Sequence, residues 1–171
     1  MATTETLTLT DDGRFPNSTN PLVLHRGVAP GGADAGAGFA RLFAEHGWTG
    51  GWRGTVFPFH HYHSTAHEVL GVIEGDATLQ LGGDDGRTVE VRPGDVVVIP
   101  AGVAHRCLDD RGLVVTAAYD RGLRPDLLRG EPGERPSADE RIARVPVPAA
   151  DPVLGAGAGA GGWAYGVLEL P

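Results

Sequence analysis

The sequence predicts an all-β fold of the double-sheet jelly-roll type. Between residues 68 and 119, short segments with alternating or β-branched residues follow one another, and Gly or Pro separates most of them. Many short strands at regular intervals, divided by turn residues, are typical of two packed antiparallel sheets. A chain of 171 residues has the length of one domain. We therefore expect residues 1–171 to form a single domain, with the barrel core at about 50–120.

The predicted strands follow one another along the chain. The N-terminal segment Thr4–Leu9 alternates weakly and is followed by the turn residues Asp11 to Gly13. The segment from Gly94 to Pro100 is β-branched, as in a buried strand. Gly75 and Asp76 are predicted to form a turn, and residues 82–86 a hairpin loop. The remaining strands are predicted at 22–25, 68–73, 77–81, 88–91 and 113–119. His25, at the end of the first of these, is expected at the rim of the barrel.

One helix is predicted on the N-terminal side of the barrel core. Phe39, Leu42, Phe43 and His46 follow the i, i+3, i+4, i+7 pattern of an apolar helical face. Gly47 supplies the left-handed residue that ends the helix. A face of this kind packs on the outside of a barrel, or in a dimer contact, more often than it lines a cofactor pocket.

The C-terminal extension is predicted to be irregular. A short helix is expected to begin at the capping box Ser137–Glu140 and to end before Pro146. The Gly-Ala repeat from Gly155 to Gly162 has the composition of a linker. Residues 164–170 are expected to return as a terminal strand or a dimer arm.

Composition disfavours several classes of partner. Proteins that bind nucleic acid or anionic membranes carry clustered Lys and Arg, whereas this chain has a net charge of −8 and a pI near 5.2. One cysteine excludes an internal disulfide framework, and the N-terminus lacks the features of a signal peptide. The longest uncharged stretch, residues 154–168, is too short and too rich in glycine to span a bilayer. We expect a cytoplasmic protein whose partners are small molecules.

Two histidines before the predicted strand at 68–73 continue an alternating row of apolar side chains. Successive side chains of a strand point to opposite faces, and residues two apart share a face about 6.5 Å apart. His61 and His63 therefore point the same way, together with Phe57 and Phe59. His60 falls on the opposite face and is predicted to point outward.

A carboxylate and a third histidine follow at spacings that suit the same site. Glu68 begins a predicted strand, so that strand can present its carboxylate beside the two imidazoles. His105 arrives on a separate strand. Three imidazoles and one carboxylate suit one divalent transition metal ion (Fe, Mn, Ni, Co or Zn) and leave about two coordination positions open. His67 is an alternate ligand, or a base behind the ligands, if the turn is one residue tighter.

The order and spacing of these residues resemble the two motifs of the cupin superfamily. The first motif is matched by His61-x-His63, four residues, Glu68, six residues and Gly75. The second is matched by Gly94, five residues, Pro100-x-Gly102, two residues and His105. Two positions depart from the pattern. The glycine before the first histidine is Gly54, one residue too far, and Asp109 stands where many cupins have Asn. Neither departure touches a candidate ligand.

The wider segments from His60 to Val72 and from Pro100 to His105 resemble a group of small bacterial single-domain cupins called YjlB-like. The resemblance implies a double-stranded β-helix, the jelly-roll barrel of cupins, to which the sequence pattern adds a short N-terminal helix and an irregular C-terminal extension. It also implies a metal site and a homodimer. It implies no particular substrate, because the function of the group is not established.

The leading hypothesis is a metal-dependent enzyme that acts on a small oxygenated metabolite. His61, His63 and His105 would hold the ion, and Glu68 would be a ligand that also takes a proton. Cupins similar to this chain carry out dioxygenase chemistry, so a dioxygenase-type oxidoreductase is the first subtype to test. The residues expected to wall the substrate pocket are Phe57, Phe59, Val72, Cys107 and Trp52.

Alternatives remain open at this point. A non-redox isomerase or lyase, in which the ion stabilises an enolate, needs the same ligands. A non-catalytic protein that binds or senses a metabolite needs them as well. Cys107 is a small buried hydrophobic residue in the alternative interpretation, because free cysteine is usually buried and inert. Arg53 is either an anchor for an anionic group or a surface residue.

Overall fold

The computed structural model describes residues 2–156 and residue 163. The strands in this part of the chain are β1 (Thr3–Leu9), β2 (Ser18–Arg26), β3 (Trp48–Thr49), β4 (Arg53–Gly54), β5 (Glu68–Leu81), β6 (Arg87–Val91), β7 (Val96–Ile99) and β8 (His105–Asp120). The helices are α1 (Ala35–Glu45) and α2 (Ser137–Arg144). Residues 157–162 and 164–170, where the sequence predicts most of a linker and a terminal strand, lie outside the described residues. None of the described helices is long and apolar enough to cross a membrane.

The strands form one curled antiparallel sheet that confirms the predicted all-β jelly roll. Its order is β1-β2-β7-β5-β8-β3, with β4 also paired to β8 and β6 to β5. The long strands β5 and β8 bend across the molecule, so they contribute to both layers of the jelly roll. Apolar side chains from these strands, from β2 and from β7 fill the space between the layers.

Strands β5 and β8 form a ribbon whose two ends meet. The register pairs Glu68 with Tyr119 at one end and Leu81 with His105 at the other. If β5, which has 14 residues, were straight, its two ends would lie about 43 Å apart. The side chains of Glu68 and His105 nevertheless approach to 3.3 Å. The ribbon bends at register shifts around Gly75, which has a φ of +65°. The turn predicted at Gly75 is therefore wrong, because this residue lies in an irregularity within one continuous strand.

Helix α1 covers the outer face of the sheet. It begins at Asp34, whose side chain accepts hydrogen bonds from two backbone N–H groups of the first turn. Gly47, with a φ of +84°, follows its end. Phe39 and Phe43 stack on each other and pack with buried side chains of β2, β5 and β7. The predicted helix and its packing on the outside of the barrel are confirmed.

The C-terminal extension packs against the segment that carries the first histidines. Tyr62 pairs through its backbone with Leu128, and its hydroxyl donates to Glu134 at 2.8 Å. Ala138 of α2 joins the same apolar cluster. The capping box predicted at Ser137 is wrong, because Ser137 is already helical and the N-cap residue is Pro136, which makes no side-chain hydrogen bond.

Candidate metal centre

Three histidines converge where the ribbon closes. His61 and His63 lie between β4 and β5 in irregular backbone rather than in the extended strand conformation assumed for their alternation with Phe57 and Phe59, and His105 begins β8. Backbone hydrogen bonds in both directions, at 3.1 and 2.9 Å, pair His61 with His105. One ring nitrogen of each histidine lies within 4.8 Å of the other two. Within the described residues, this is the group that could hold a metal ion.

A backbone carbonyl orients each of the three imidazoles. The pairs of Nδ1 and carbonyl oxygen are His61 with Phe59 at 3.0 Å, His63 with Asp126 at 2.5 Å, and His105 with Val103 at 2.9 Å. A carbonyl oxygen only accepts, so Nδ1 carries the proton and the Nε2 lone pair of each neutral ring is available. Metal-bound histidines are usually oriented in this way by a partner of the second ring nitrogen.

Glu68 adds a carboxylate to the three imidazoles. It is 2% exposed, and its Oε2 lies 3.1 Å from Nε2 of His63 and 3.3 Å from Nε2 of His105. The other oxygen, Oε1, accepts a hydrogen bond from the Tyr119 hydroxyl at 3.1 Å. The structure therefore brings together all four residues that the sequence proposes as ligands.

Burial and the neighbouring charges set the protonation of the group. Burial, with a smaller contribution from His105, lowers the pKa of His61 to about 3. Burial raises the pKa of Glu68, but hydrogen bonds from His105 and His63 outweigh it and keep that pKa below its ordinary value. Burial lowers the pKa of His63, but the hydrogen bond and charge of Glu68 outweigh it and the net shift is upward. A divalent cation fits beside this ionised carboxylate and would displace the proton that Glu68 favours on His63.

The group lies in a cavity of about 220 Å³. Trp52 and Phe57, which are 38% and 48% exposed, form the part of the wall nearest to solvent. None of the described residues that line the cavity is Lys or Arg. Arg53 instead donates to Glu74 at 3.0 Å on the outer surface. The cavity is lined by Trp52, Thr55, Val56, Phe57, His61, His63, Glu68, Leu70, His105 and Tyr119.

Three residues proposed for the cavity wall are not among those that line it. Val72 and Cys107 lie in the buried core cluster, each two residues along its strand from a residue that lines the cavity. They face the barrel interior, but other side chains already fill the space around them. Burial raises the pKa of the Cys107 thiol, in keeping with a small buried hydrophobic residue. Phe59 stacks on Phe57, with 4.9 Å between the ring centres, and the Arg129 guanidinium lies 3.9 Å from the centre of the Phe59 ring.

His60 and His25 are buried, although the sequence places one outward and the other at the barrel rim. His60 falls on the face opposite to His61, but the N-terminal segment covers that face, and the Phe15 ring lies 5.4 Å from the imidazole. His25 contacts Asp151 through Nε2 at 3.0 Å and Thr4 Oγ1 through Nδ1 at 2.9 Å. Both expectations are wrong because segments distant in sequence cover these positions.

His67, the alternate ligand proposed from the sequence, lies outside the three-histidine group. Its Nδ1 accepts a hydrogen bond from the backbone N–H of Ala101 at 2.8 Å, and its Nε2 donates to the carbonyl of Pro146 at 3.2 Å. Both ring nitrogens are therefore used by the backbone. The structure leaves Glu68 as the residue that completes the group.

Tyr119 also lines the cavity, although it is not among the site residues predicted from the sequence. Its hydroxyl contacts Glu68 and also accepts a hydrogen bond from Trp52 Nε1 at 2.7 Å. Tyr119 lies fourteen residues after His105, and an even spacing keeps a residue on the same face of one strand. The sequence predicts a separate strand at 113–119, so the spacing from His105 to Tyr119 could not be counted along one strand.

Comparison with known proteins identifies the family. Residues 52–112 match the Cupin domain family. The uncharacterized protein YjlB of Bacillus subtilis (strain 168) is 41% identical over 154 residues, which cover 89% of this chain and 91% of that protein. The chain belongs to the YjlB-like group of small cupins. The two cupin motifs contribute His61, His63, Glu68 and His105, the residues that meet where the ribbon closes.

Solved structures similar to this cupin include an acireductone dioxygenase and a protein without a named activity. Acireductone dioxygenase from Bacillus anthracis, with a cadmium ion in its active centre, is 19% identical with a TM-score of 0.42, and the match covers 73% of this chain and 82% of that chain. Protein NMB1881 from Neisseria meningitidis is 16% identical with a TM-score of 0.34, and the match covers 68% and 82%.

Proposed function

We propose that this cupin is a metal-dependent enzyme that acts on a small oxygenated molecule, and that dioxygenation is the reaction to test first. The observation that carries the proposal is the convergence of three imidazoles and one carboxylate in a largely apolar cavity. Such a donor set suits a divalent first-row transition metal and leaves about two positions of an octahedron for other ligands. A closed structural site would leave no such positions.

His61, His63 and His105 would hold the ion through Nε2, and Glu68 would hold it through Oε2. When bound, the ion would polarise oxygen atoms of the substrate or bring the substrate and O₂ together. The carbonyl groups that bind each Nδ1 keep the three rings in place. Glu68 would take a proton from the substrate, because it is the carboxylate among the described residues that line the cavity.

The cavity also indicates the substrate class. Apolar walls from Val56, Phe57 and Leu70 exclude water from the reacting groups. A volume of about 220 Å³ limits the substrate to a small molecule. A phosphate or a second carboxylate would have no cationic side chain to pair with among the described lining residues. We therefore propose a small substrate that carries oxygen atoms for the metal and is otherwise apolar.

The proposal is tested first by metal content. Elemental analysis of protein purified without added metal should give about one equivalent of a transition metal ion. The double substitution His61→Ala and His63→Ala should remove it, whereas His67→Ala should retain it because both nitrogens of His67 bond to the backbone. Stoichiometric metal in the double variant would reject the site.

Oxygen uptake is the second measurement. Diketones, catechols and small hydroxy acids should be screened with the metal-loaded protein, and the active compounds should lose their activity in the double variant. Phosphorylated compounds of the same size should be inactive, because the cavity offers no cation to pair with the phosphate. Uptake of oxygen that persists in the double variant would contradict a role of this site.

A non-redox isomerase or lyase is the second candidate. It is supported by the contact between the Glu68 carboxylate and the Tyr119 hydroxyl, since two groups that exchange protons then border the same cavity. Turnover under anaerobic conditions at an unchanged rate would favour this candidate over dioxygenation. Thermal stabilisation by a compound that is recovered chemically unchanged would instead indicate a binding or sensor protein.

A further inference from the structure

We propose that Trp52 and Tyr119 form a positioning arm that holds the Glu68 carboxylate in one orientation, with Oε2 directed at the three histidines. The arm consists of two consecutive hydrogen bonds, from Trp52 Nε1 to the Tyr119 hydroxyl at 2.7 Å and from that hydroxyl to Glu68 Oε1 at 3.1 Å. The inference rests on the proposed metal site and does not depend on which reaction the site performs.

The direction of both hydrogen bonds follows from the chemistry of the groups. An indole N–H only donates, so the Tyr119 oxygen must accept the hydrogen bond from Trp52. The single hydrogen of the Tyr119 hydroxyl is then available for a second partner. An ionised carboxylate only accepts, so that hydrogen is directed at Glu68 Oε1. No other arrangement of the hydrogens satisfies all three groups.

The backbone fixes both residues of the arm. Tyr119 pairs with Thr49 of β3 on one side and with Glu68 of β5 on the other. The carbonyl of Trp52 accepts a hydrogen bond from the backbone N–H of Ala117 at 2.8 Å. The preceding residue, Gly51, lies so close to β8 that an added Cβ would be 1.8 Å from the Ala117 oxygen. The arm therefore starts from backbone that has little freedom to move.

The arm divides the two oxygens of Glu68 between two tasks. Oε1 is bound to the Tyr119 hydroxyl, while Oε2 contacts Nε2 of His63 and of His105. With the arm in place, Glu68 offers a cation one oxygen atom. Without the hydroxyl, the carboxylate is free to rotate and to offer both oxygens or neither. Residues that orient metal ligands typically contribute about 10-fold to 100-fold to metal affinity.

The experiment measures Co²⁺ binding, by competition with a chromophoric chelator, and the visible absorption spectrum of the bound Co²⁺. Tyr119→Phe should still bind one equivalent, but about 10-fold to 100-fold more weakly and with a changed spectrum, because coordination by Glu68 changes. Trp52→Phe should change both measurements in the same direction by a smaller factor. The matched control is Tyr62→Phe, which removes a buried hydroxyl that bonds to Glu134 instead, and its Co²⁺ affinity should equal that of the wild type.

A substitution cycle separates the arm from a merely structural role. In the Glu68→Gln background, Tyr119→Phe should cause no further loss of Co²⁺ affinity, because the residue acts through the carboxylate. An equal loss in both backgrounds would overturn the proposal, as would a Tyr119→Phe protein with the affinity and spectrum of the wild type. In the latter case the metal site itself would stand. Absence of Co²⁺ binding by the wild type would reject both the site and the arm. If Tyr119→Phe does not fold, Trp52→Phe carries the test.

Discussion

Five of the six buried histidines form two groups with opposite environments, and His60 belongs to neither group. In His61, His63 and His105, one ring nitrogen is bound to a backbone carbonyl and the other is directed at a shared cavity. In His25 and His67, the protein uses both ring nitrogens for its own hydrogen bonds. Burial is similar in the two groups, so burial does not distinguish a candidate ligand from a structural histidine. A ring nitrogen directed at the shared cavity makes the distinction, because His60 also has a nitrogen without a partner among the described residues but lies outside the three-histidine group.

The two groups also differ in what they contribute to stability. His67 satisfies two backbone groups, which would otherwise be buried without partners. His61 is desolvated strongly enough to lower its pKa to about 3, and its Nε2 makes no hydrogen bond in return within the described residues. An environment of this kind lowers stability and is expected where function requires it.

Loss of His25 should give the largest change in stability. His25→Ala removes the partner of Asp151 Oδ2 and leaves a cavity, while Oδ1 keeps its hydrogen bonds from the backbone of Val153 and Leu154. The free energy of unfolding should fall by about 3 to 5 kcal/mol, because a buried side chain and a buried hydrogen bond are lost together. Urea unfolding measures this change. Thr4→Val, which removes only the outer hydrogen bond of the same histidine, is the control and should cost about 1 kcal/mol. Metal content should stay at the wild-type level in both variants. A loss of metal from His25→Ala would show that the two groups of histidines are not independent.

Loss of His105 should change the stabilisation by metal, which loss of His25 should leave unchanged. Free Co²⁺ at 100 times its dissociation constant should raise the unfolding free energy of the wild type by about 2.7 kcal/mol. His105→Ala should lose this metal-dependent stabilisation, because one of the three nitrogens is missing. Thermal unfolding with and without Co²⁺ measures the difference. An equal shift in the variant would show that the cation binds elsewhere.

Acid should reveal the environment of His67. Burial lowers the pKa of this imidazole from 6.5 to about 4, so between these values the unfolded chain binds a proton that the folded protein does not. The free energy of unfolding should therefore fall as the pH falls from 6.5 to 4, by roughly 2 to 4 kcal/mol from this group. Urea unfolding of metal-free protein across this range measures the slope. His67→Gln should show a flatter dependence than the wild type, and parallel curves would contradict the assignment.

The smallest change in stability is expected at the cavity wall. Phe57 is 48% exposed, so Phe57→Ser should lower the free energy of unfolding by only about 1 kcal/mol, chiefly through the lost stacking on Phe59. The same substitution opens the apolar wall beside the histidines and should raise the KM of any substrate found in the oxygen-uptake screen. A matched substitution, Leu154→Ser, alters a similarly exposed residue that does not line the cavity and should leave KM unchanged.

The sequence allowed the jelly roll and the four candidate ligands to be predicted, because strand patterns and motif spacing are local signals. The surroundings of the other histidines could not be predicted in the same way. Asp151 lies 126 residues after His25, and only the folded chain brings them together. The same is true of the C-terminal extension, which supplies the carbonyls of Asp126 and Pro146 to two histidines. The last two partners are backbone carbonyl groups. Every residue has one, so the amino-acid sequence does not show which carbonyl a histidine will contact.

The closed ribbon has a consequence for the order of events during folding. Glu68 and His105 belong to opposite ends of the same strand pair, so neither local strand formation nor correct pairing of β5 with β8 is enough to bring them together. An intermediate with every strand formed but the ribbon still open would contain all four side chains and no place for an ion. Uptake of a transition metal during refolding would therefore report the final closure of the barrel, and a bound cation would oppose its reopening.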